Sequence, residues 1–152
     1  MSFSYKDSIV ASKSFKFAIN IIFIYKKLVE EKREYVLSRQ LLRSATSIGA
    51  NVREALRGES KKDFGHKMNI ALKEAEETEY WIELLLESEY LSLNEAECIL
   101  QQCKELCKML HSIVRSVRFR EWLINNCTIA KWRWQYNCEL CTVHWKEKKW
   151  EL

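Results

Sequence analysis

The sequence predicts an all-α protein, an antiparallel up-down-up-down four-helix bundle followed by a C-terminal tail rich in Trp and Cys. Three observations lead to this fold class. The 152 residues include three Gly and no Pro, which disfavours a turn-rich β-sandwich or barrel. Four segments repeat apolar residues at alternating spacings of three and four. Short connections with helix-capping residues separate these segments, and short connections place consecutive helices antiparallel.

Each of the four segments carries a stripe of apolar residues that faces partner helices along its whole length. A mean spacing of about 3.5 residues is typical of bundles and coiled coils. We expect helices over residues 7–32, 36–57, 61–89 and 94–118. The predicted stripes are, in order, Phe15, Ala18, Ile22, Tyr25 and Val29; Leu41, Ala45, Ile48, Val52 and Ala55; Phe64, Met68, Ala71, Ala75, Thr78, Ile82 and Leu85; and Ala96, Ile99, Cys103, Leu106, Leu110, Ile113 and Val117.

The predicted helix boundaries agree with known capping chemistry. Ser60-Lys-Lys-Asp63 and Ser92-Leu-Asn-Glu95 both resemble a capping box, in which Ser accepts from free N–H groups of the new helix. Gly58 follows the second helix, where a left-handed residue without a Cβ clash commonly ends a helix. We therefore expect the second helix to end at a left-handed Gly58.

The chain is expected to divide into a four-helix bundle at residues 1–120 and a tail at residues 121–152. Five of the six Trp lie in that tail. Apolar and polar residues alternate from Trp132 to Leu140, a period of two that predicts a strand. The tail is therefore either an appended β-hairpin or arm, or a translated nucleotide repeat with little selected structure.

The sequence shows neither a membrane span nor a secretion signal. The longest apolar run, from Phe17 to Tyr25, is about half of a membrane span. The first residues lack the basic start, apolar middle and small-residue cleavage site of a signal peptide. We therefore expect a cytoplasmic protein without a membrane partner.

Charge is distributed unevenly along the chain. From Lys26 to Lys62 there are ten Lys and Arg against five Asp and Glu. From Glu74 to Glu97 there are nine Glu and no Lys or Arg. This asymmetry is the first indication of function, because a basic segment attracts anionic partners.

The second predicted helix presents arginines on the side opposite its apolar stripe, because an offset of two residues rotates by about 200° around a helix. Four residues form what we call the Arg row: Arg39, Arg43, Arg53 and Arg57. Thr46 and Ala50 separate its two halves, and Lys61 and Lys62 follow in the chain. Since a guanidinium stays charged and donates two parallel hydrogen bonds to phosphate, the row and the two lysines predict a nucleic-acid-binding surface.

Two other interpretations of the Arg row remain open at the level of sequence. Carboxylates of the third helix can pair with it, within one subunit or between subunits, and would then make the charge pattern an assembly device; these are Glu76, Glu79 and Glu83, with Glu77 nearby. Alternatively, the row is a simple solvated face.

A metal site finds only weak support. Cys138, Cys141 and His144, with Cys127 upstream, contain the donor types of a zinc set, but the pattern is incomplete as a ribbon or finger. We predict no metal and no cofactor.

Catalysis also finds little support. His66, His111 and His144 are the only histidines, and the first two lie at surface or boundary positions of predicted helices. The Glu-x-x-His pairs of di-iron bundles and the common hydrolase, zinc-protease and nucleotide-binding motifs are missing. We therefore expect a protein that is not an enzyme.

Three stretches of the bundle resemble a bacterial family of four-helix bundles. They are Ser38-Arg-Gln-Leu-Leu-Arg-Ser-Ala-Thr-Ser-Ile-Gly-Ala-Asn-Val-Arg-Glu-Ala55, Ser60-Lys-Lys-Asp-Phe64 and Ala71-Leu-Lys-Glu-Ala-Glu-Glu-Thr-Glu-Tyr-Trp81. The family includes proteins encoded by intervening sequences in 23S ribosomal RNA genes. It is more distantly similar to the accessory variability determinant of diversity-generating retroelements. The resemblance covers about residues 5–118.

The resemblance implies a homopentameric barrel of four-helix bundles. In the retroelement relatives, this barrel binds nucleic acid and a reverse transcriptase without being catalytic. The matching motif implies that Asn51 makes an inter-helix or inter-subunit hydrogen bond and that Glu54 holds an Arg across the interface. Arg53 stands where many members carry an acidic or small residue, so this helix is unusually basic.

Two functional hypotheses follow. The first is a non-catalytic, homo-oligomeric adaptor that binds RNA or DNA, accessory to a reverse transcriptase, with an aromatic tail that stacks on bases or grips a protein. The second is a structural assembly module that docks proteins through helical faces, with its Arg row buried against carboxylates of a neighbouring subunit.

Overall fold

Four helices make up the part of the chain that the structure describes. It is a computed structural model that describes the backbone of residues 8–135 and the side chains of residues 8–119 and 122. The helices are α1 (Ile9–Lys32), α2 (Leu37–Leu56), α3 (Lys61–Glu87) and α4 (Leu93–Gln135). Residues 8–135 contain no strand. The all-α prediction is confirmed, and the first three helices begin and end within two residues of their predicted limits.

The fourth helix is longer than predicted, and this overturns part of the strand prediction. Residues 132–135 of the expected strand belong to α4, while residues 136–140 lie outside the described residues. The stretch from Leu93 to Gln135 contains neither Gly nor Pro, so each residue can add one more helical hydrogen bond. Local continuation of the helix therefore prevails over the alternating pattern.

By internal contacts the chain forms two compact units, Met1–Val117 and Arg118–Leu152. The first unit contains α1, α2, α3 and the beginning of α4. The predicted division at residue 120, with a separate tail, stays a prediction.

Each predicted capping box forms in part, with one of its two reciprocal hydrogen bonds to a backbone N–H. The Ser60 hydroxyl accepts a hydrogen bond from the Asp63 N–H over 3.1 Å at the start of α3. At the start of α4 the Glu95 carboxylate accepts from the Ser92 N–H over 3.2 Å and from its hydroxyl over 2.5 Å. These bonds satisfy polar groups that the first turn of a helix leaves without partners.

The predicted role of Gly58 is wrong. Among the described residues no glycine has a positive φ; the left-handed residues there are Arg33 and Glu89. A Cβ on Gly58 would lie 2.9 Å from an Asp63 carboxylate oxygen and 3.0 Å from the Ala55 carbonyl oxygen. Glycine at residue 58 therefore avoids a close approach of a Cβ to the Ala55 carbonyl oxygen in the turn between α2 and α3, and it does not supply left-handed freedom.

Side-chain contacts between helices run in opposite directions along the chain, as in an antiparallel bundle. Residue numbers rise along one helix while those of the partners fall along the next. Between α1 and α4 the pairs are Lys13–Glu105, Asn20–Gln102 (2.8 Å) and Lys27–Glu95 (2.6 Å). Between α2 and α3 they are Ser44–Thr78 (3.0 Å) and Glu54–Lys67 (2.6 Å). Between α3 and α4 they are Glu76–His111 (3.3 Å) and Glu79–Lys104 (3.6 Å).

The apolar stripes predicted for α2, α3 and α4 form the core. Every residue of the α2 stripe is buried; Phe64, Ile113 and Val117 are half-buried, and the rest of the α3 and α4 stripes is buried. These three predictions are confirmed.

The stripe predicted for α1 is wrong. Phe15 is 50% exposed and Ile22 is exposed as well, whereas Phe17, Ile21 and Leu28 are buried. Helix α1 is apolar on two sides, so its periodicity alone cannot choose between them. The core side carries the small Ser14 against Gly49 of α2, and a Cβ on Gly49 would lie 3.7 Å from the Ser14 hydroxyl oxygen. An alanine side chain would therefore fit at residue 49, at ordinary van der Waals distance from Ser14.

The other side of α1 is left as an apolar surface that we call the outer α1 face. It consists of four exposed residues: Phe15, Ile19, Ile22 and Phe23. Phe15 and Phe23 are 50% and 64% exposed, and Ile19 and Ile22 are 36% and 37% exposed, although each is large and apolar.

Candidate nucleic-acid interface

The structure places the whole Arg row on the solvent side of α2. Its four arginines are exposed, as are Thr46 and Ala50 between them, while the apolar stripe opposite is buried. From Arg39 to Arg57 the row spans about 27 Å, at a rise of about 1.5 Å per residue. The predicted exposed guanidinium surface is therefore present.

The interior pair of the row makes contacts within the chain. The Arg43 guanidinium lies 2.8 Å from a Glu77 carboxylate oxygen on α3. That same oxygen accepts from the Trp81 indole N–H over 3.1 Å. The Arg53 guanidinium lies 5.1 Å from the centre of the Phe15 ring on α1, within the range of a cation–π contact.

The outer pair of the row is available to a ligand. Arg39 and Arg57 are exposed, and their side chains make no hydrogen bond or ion pair with any residue of the described chain. The Arg43 side chain is 62% exposed, and an exposed ion pair contributes about 0–1 kcal/mol. A phosphate can therefore replace Glu77 as the partner of Arg43 at little cost.

Lys61 and Lys62 are exposed in the first turn of α3 and have no side-chain partner within residues 8–119. The start of a helix carries partial positive charge, so cations there are unfavourable by a few tenths of a kcal/mol. The two lysines thus stabilise nothing visible in the described fold. An anionic ligand is the kind of partner that would offset their placement.

Within the subunit, the carboxylates expected to face the Arg row make other contacts, and their pairing with the Arg row of a neighbouring subunit stays a prediction. Glu79 pairs with Lys104 over 3.6 Å and Glu76 with His111 over 3.3 Å, both on α4. Glu83 is exposed and has no partner in the described part of the chain. It is Glu77 that meets the row within the subunit, because it projects from the side of α3 next to α2.

Asn51 and Glu54, the two other expected interface residues, make contacts inside the subunit. The Asn51 amide donates to the Ser47 carbonyl oxygen over 2.9 Å, within α2. Glu54 pairs with Lys67 of α3, and its hydrogen bond raises the pKa of that lysine. Their roles between subunits stay predictions.

Glu34, to which the sequence patterns gave no role, positions the start of α2 and thereby the Arg row. Its buried carboxylate accepts from the backbone N–H groups of Val36, Leu37 and Ser38 over 2.9, 2.8 and 2.6 Å. Burial raises the pKa of Glu34, but the hydrogen bonds from these three N–H groups and from the Ser38 hydroxyl outweigh it and leave the pKa lowered. A carboxylate just before a helix with no Ser, Thr, Asp or Asn cap is the signal that could have revealed it.

The weak zinc candidates receive no structural support. Cys127 lies in α4, and Cys138, Cys141 and His144 lie outside the described residues. Within the described residues, no cluster of three or more His, Cys, Asp and Glu side chains could hold a metal ion.

The helices do not have the character of membrane spans. Among the described residues, none of the four is both long enough and apolar enough to cross a bilayer.

Comparison with known proteins assigns the family. The family described as "23S rRNA-intervening sequence protein" matches residues 6–112. This chain belongs to that family. The match includes all of α1, α2 and α3, and therefore the whole Arg row.

A solved member supports the same fold. It is a protein of unknown function from the S23 ribosomal protein family of Bacteroides thetaiotaomicron, 52% identical to this chain. The similarity covers 70% of this chain and 98% of that one, with a TM-score of 0.69. No curated protein matches the chain. Residues 113–152 of this chain lie beyond the family match.

Proposed function

We propose that this chain is a non-catalytic, homo-oligomeric adaptor of the cytoplasm that binds RNA or DNA through the Arg row, Lys61 and Lys62. The observation that carries the proposal is the exposure of all six cations, four of which lack a side-chain partner among the described residues. The Arg43–Glu77 ion pair is exposed and weak, so it leaves Arg43 open to exchange.

Phosphate contacts supply the affinity in this proposal. The row spans about 27 Å, whereas one nucleic-acid strand advances about 3.4 Å per nucleotide, so several phosphates fit along it. Arginine forks bind phosphate with two parallel hydrogen bonds. The small Thr46 and Ala50 at the middle of the row let a backbone approach closely.

Self-association would place several Arg rows in one particle. The outer α1 face is an exposed apolar stripe, and Arg53 stacks on Phe15 at its edge. A second copy of the chain would remove these apolar side chains from water, which is favourable by about 25 cal/mol per Å². Several Arg rows held in one particle would bind one strand with increased avidity.

A salt titration tests the proposal. Binding of labelled RNA and DNA of about 20 nucleotides is measured by fluorescence anisotropy at several salt concentrations. We expect the double variant Arg39→Ala, Arg57→Ala to bind more weakly at low salt. The slope of log affinity against log salt should fall by about one for each phosphate that the variant no longer binds.

Lys73→Ala is the matched control. Lys73 is an exposed cation of α3 with no side-chain partner in the described chain, so its removal tests charge alone. It should leave affinity and slope nearly unchanged. Absence of binding by the unmodified protein at about 20 mM salt, or equal losses in the double variant and the control, would overturn the proposal.

A structural assembly module is the second candidate, favoured by the outer α1 face. It predicts that Arg43→Glu dissociates the oligomer and that no nucleic acid is retained. The adaptor hypothesis predicts the opposite, an intact particle with weakened binding. The mass of the Arg43→Glu particle separates the two.

The reverse transcriptase partner rests on the resemblance to retroelement proteins. It stays a prediction, and co-purification with a reverse transcriptase encoded by a neighbouring gene is the direct test.

A further inference from the structure

Unit 2 of the chain, Arg118–Leu152, contains an exposed aromatic pair on α4. The rings of Phe119 and Trp122 lie one helical turn apart, with centroids separated by 6.2 Å and planes inclined by 17°. Each side chain is 59% exposed. Two nearly parallel rings therefore stand together in solvent.

Several apolar residues earlier in α4 are buried, in contrast to this exposed pair. Cys103, Leu106 and Leu110 are buried in the bundle core. A Trp and a Phe that stay mostly in water forgo the favourable transfer of their rings out of water. A ligand that covers the two rings would recover that free energy.

The charge of unit 2 indicates what kind of ligand this is. Residues 118–152 carry seven Lys and Arg against four Glu, a net charge of +3, while the whole chain has +4. Four further Trp belong to the same residues. Aromatic rings within a basic segment are the combination that binds unpaired nucleotides, because bases stack on rings while cations attract the phosphates.

The family match ends at residue 112, so Phe119 and Trp122 lie outside the part of the chain that the family shares. We propose that Phe119 and Trp122 form a stacking site for unpaired bases of single-stranded nucleic acid. This proposal rests on the nucleic-acid binding proposed above and adds a preference to it: single strands with bases are favoured over duplexes and over strands without bases.

The experiment compares three probes with the full-length protein. They are an oligothymidylate of about 20 nucleotides, an abasic deoxyribose-phosphate strand of the same length, and a duplex. Alanine substitution of one stacking residue changes affinity by about 5- to 150-fold per base. We expect Trp122→Ala and Phe119→Ala each to weaken oligothymidylate binding by a factor in this range.

The same two variants should bind the abasic strand as tightly as the unmodified protein, since phosphate contacts are intact. Trp122→Phe, which keeps a ring, should recover most of the missing affinity. Tyr80→Ala is the matched control, because Tyr80 is a 56% exposed aromatic residue of α3 and should not contribute. Unchanged thermal unfolding of each variant shows that the fold is retained.

Two results overturn the inference and differ in what they leave standing. If the protein binds the oligothymidylate and the abasic strand equally, and Trp122→Ala changes neither, the stacking site is wrong while nucleic-acid binding stands; the rings then belong to a protein-binding surface. If the unmodified protein binds none of the probes at low salt, the adaptor function itself is wrong, and the stacking site with it.

Discussion

At the scale of single residues, Glu34 caps the start of α2. One buried carboxylate binds three backbone N–H groups at the start of α2, a helix that has no side-chain cap at Val36. These N–H groups would otherwise lack partners. Because the Arg row belongs to α2, the orientation of four guanidinium groups depends on this carboxylate.

Glu34→Gln should lower the free energy of unfolding at pH 7 by about 1–2 kcal/mol, because a charged acceptor becomes neutral. The folded-state pKa of Glu34 lies below its usual value of 4.5. Its contribution is therefore complete above about pH 4.5 and is lost as the pH falls through the lower folded value. Urea unfolding at pH 7 and at about pH 3 should show the difference between the two proteins shrinking in acid.

Glu30→Gln serves as the control, because Glu30 is exposed on α1. It should change stability little at either pH. A Glu34→Gln defect of equal size at both pH values would show that packing, and not charge, explains the role of Glu34.

At the scale of helices, two glycines differ in the space that their surroundings leave for a Cβ. A Cβ on Gly65 of α3 would lie 2.7 Å from a methyl carbon of Val117 on α4. A Cβ on Gly49 of α2 would meet Ser14 at an ordinary 3.7 Å. The same substitution should therefore have opposite effects at the two positions.

Gly65→Ala should destabilise the protein by about 1–3 kcal/mol, because the β-branched Val117 has little freedom to rotate away. Gly49→Ala should be neutral or stabilising by up to about 1 kcal/mol, since Ala loses less entropy in a helix. Urea unfolding measures both. In a Val117→Ala background the cost of Gly65→Ala should largely disappear; an unchanged cost would place the strain elsewhere.

Helix α1 has one apolar side that packs against α2 and a second apolar side that is exposed. Its buried side meets α2 through Ser14 and Gly49, and its outer α1 face keeps bulky apolar residues in solvent. A helix that is apolar all around is normally buried all around. The outer α1 face thus has the composition of an interface.

At the scale of the whole molecule, the proposed contact between copies through the outer α1 face can be tested, while the homopentamer itself stays a prediction. Ile22→Glu combined with Phe23→Glu should reduce the native particle to a monomer, because two charges cannot be buried in an apolar contact without partners. Analytical ultracentrifugation at about 10 μM gives the mass, and circular dichroism should show unchanged helix content.

Tyr80→Glu is the control, since Tyr80 is exposed on α3 and lies off the outer α1 face. It should leave the mass unchanged. A monomeric unmodified protein, or an oligomer that survives both charges on α1, would rule out this face as the contact between copies.

Much of the fold could be predicted because it depends on local patterns. The α2 stripe from Leu41 to Ala55 is buried as expected, and the Arg row opposite it is exposed, since both follow from helical geometry alone. Ser60 and Glu95 cap their helices because capping needs only neighbours a few residues apart. For the candidate site, the sequence predicts which cations are exposed. It does not predict which residues each cation contacts.

The sequence by itself determined the number of helices, three of the four buried stripes and the basic face of α2. Only the tertiary structure decided which side of α1 enters the core, that Glu77 rather than Glu76 or Glu79 meets Arg43, and that a Cβ at residue 58 would lie close to the Ala55 carbonyl oxygen. The reason is the distance along the sequence between the residues that interact. Periodicity and capping are properties of consecutive residues, whereas the choice between two apolar faces, or between neighbouring carboxylates, depends on atoms that another helix brings to within a few ångströms.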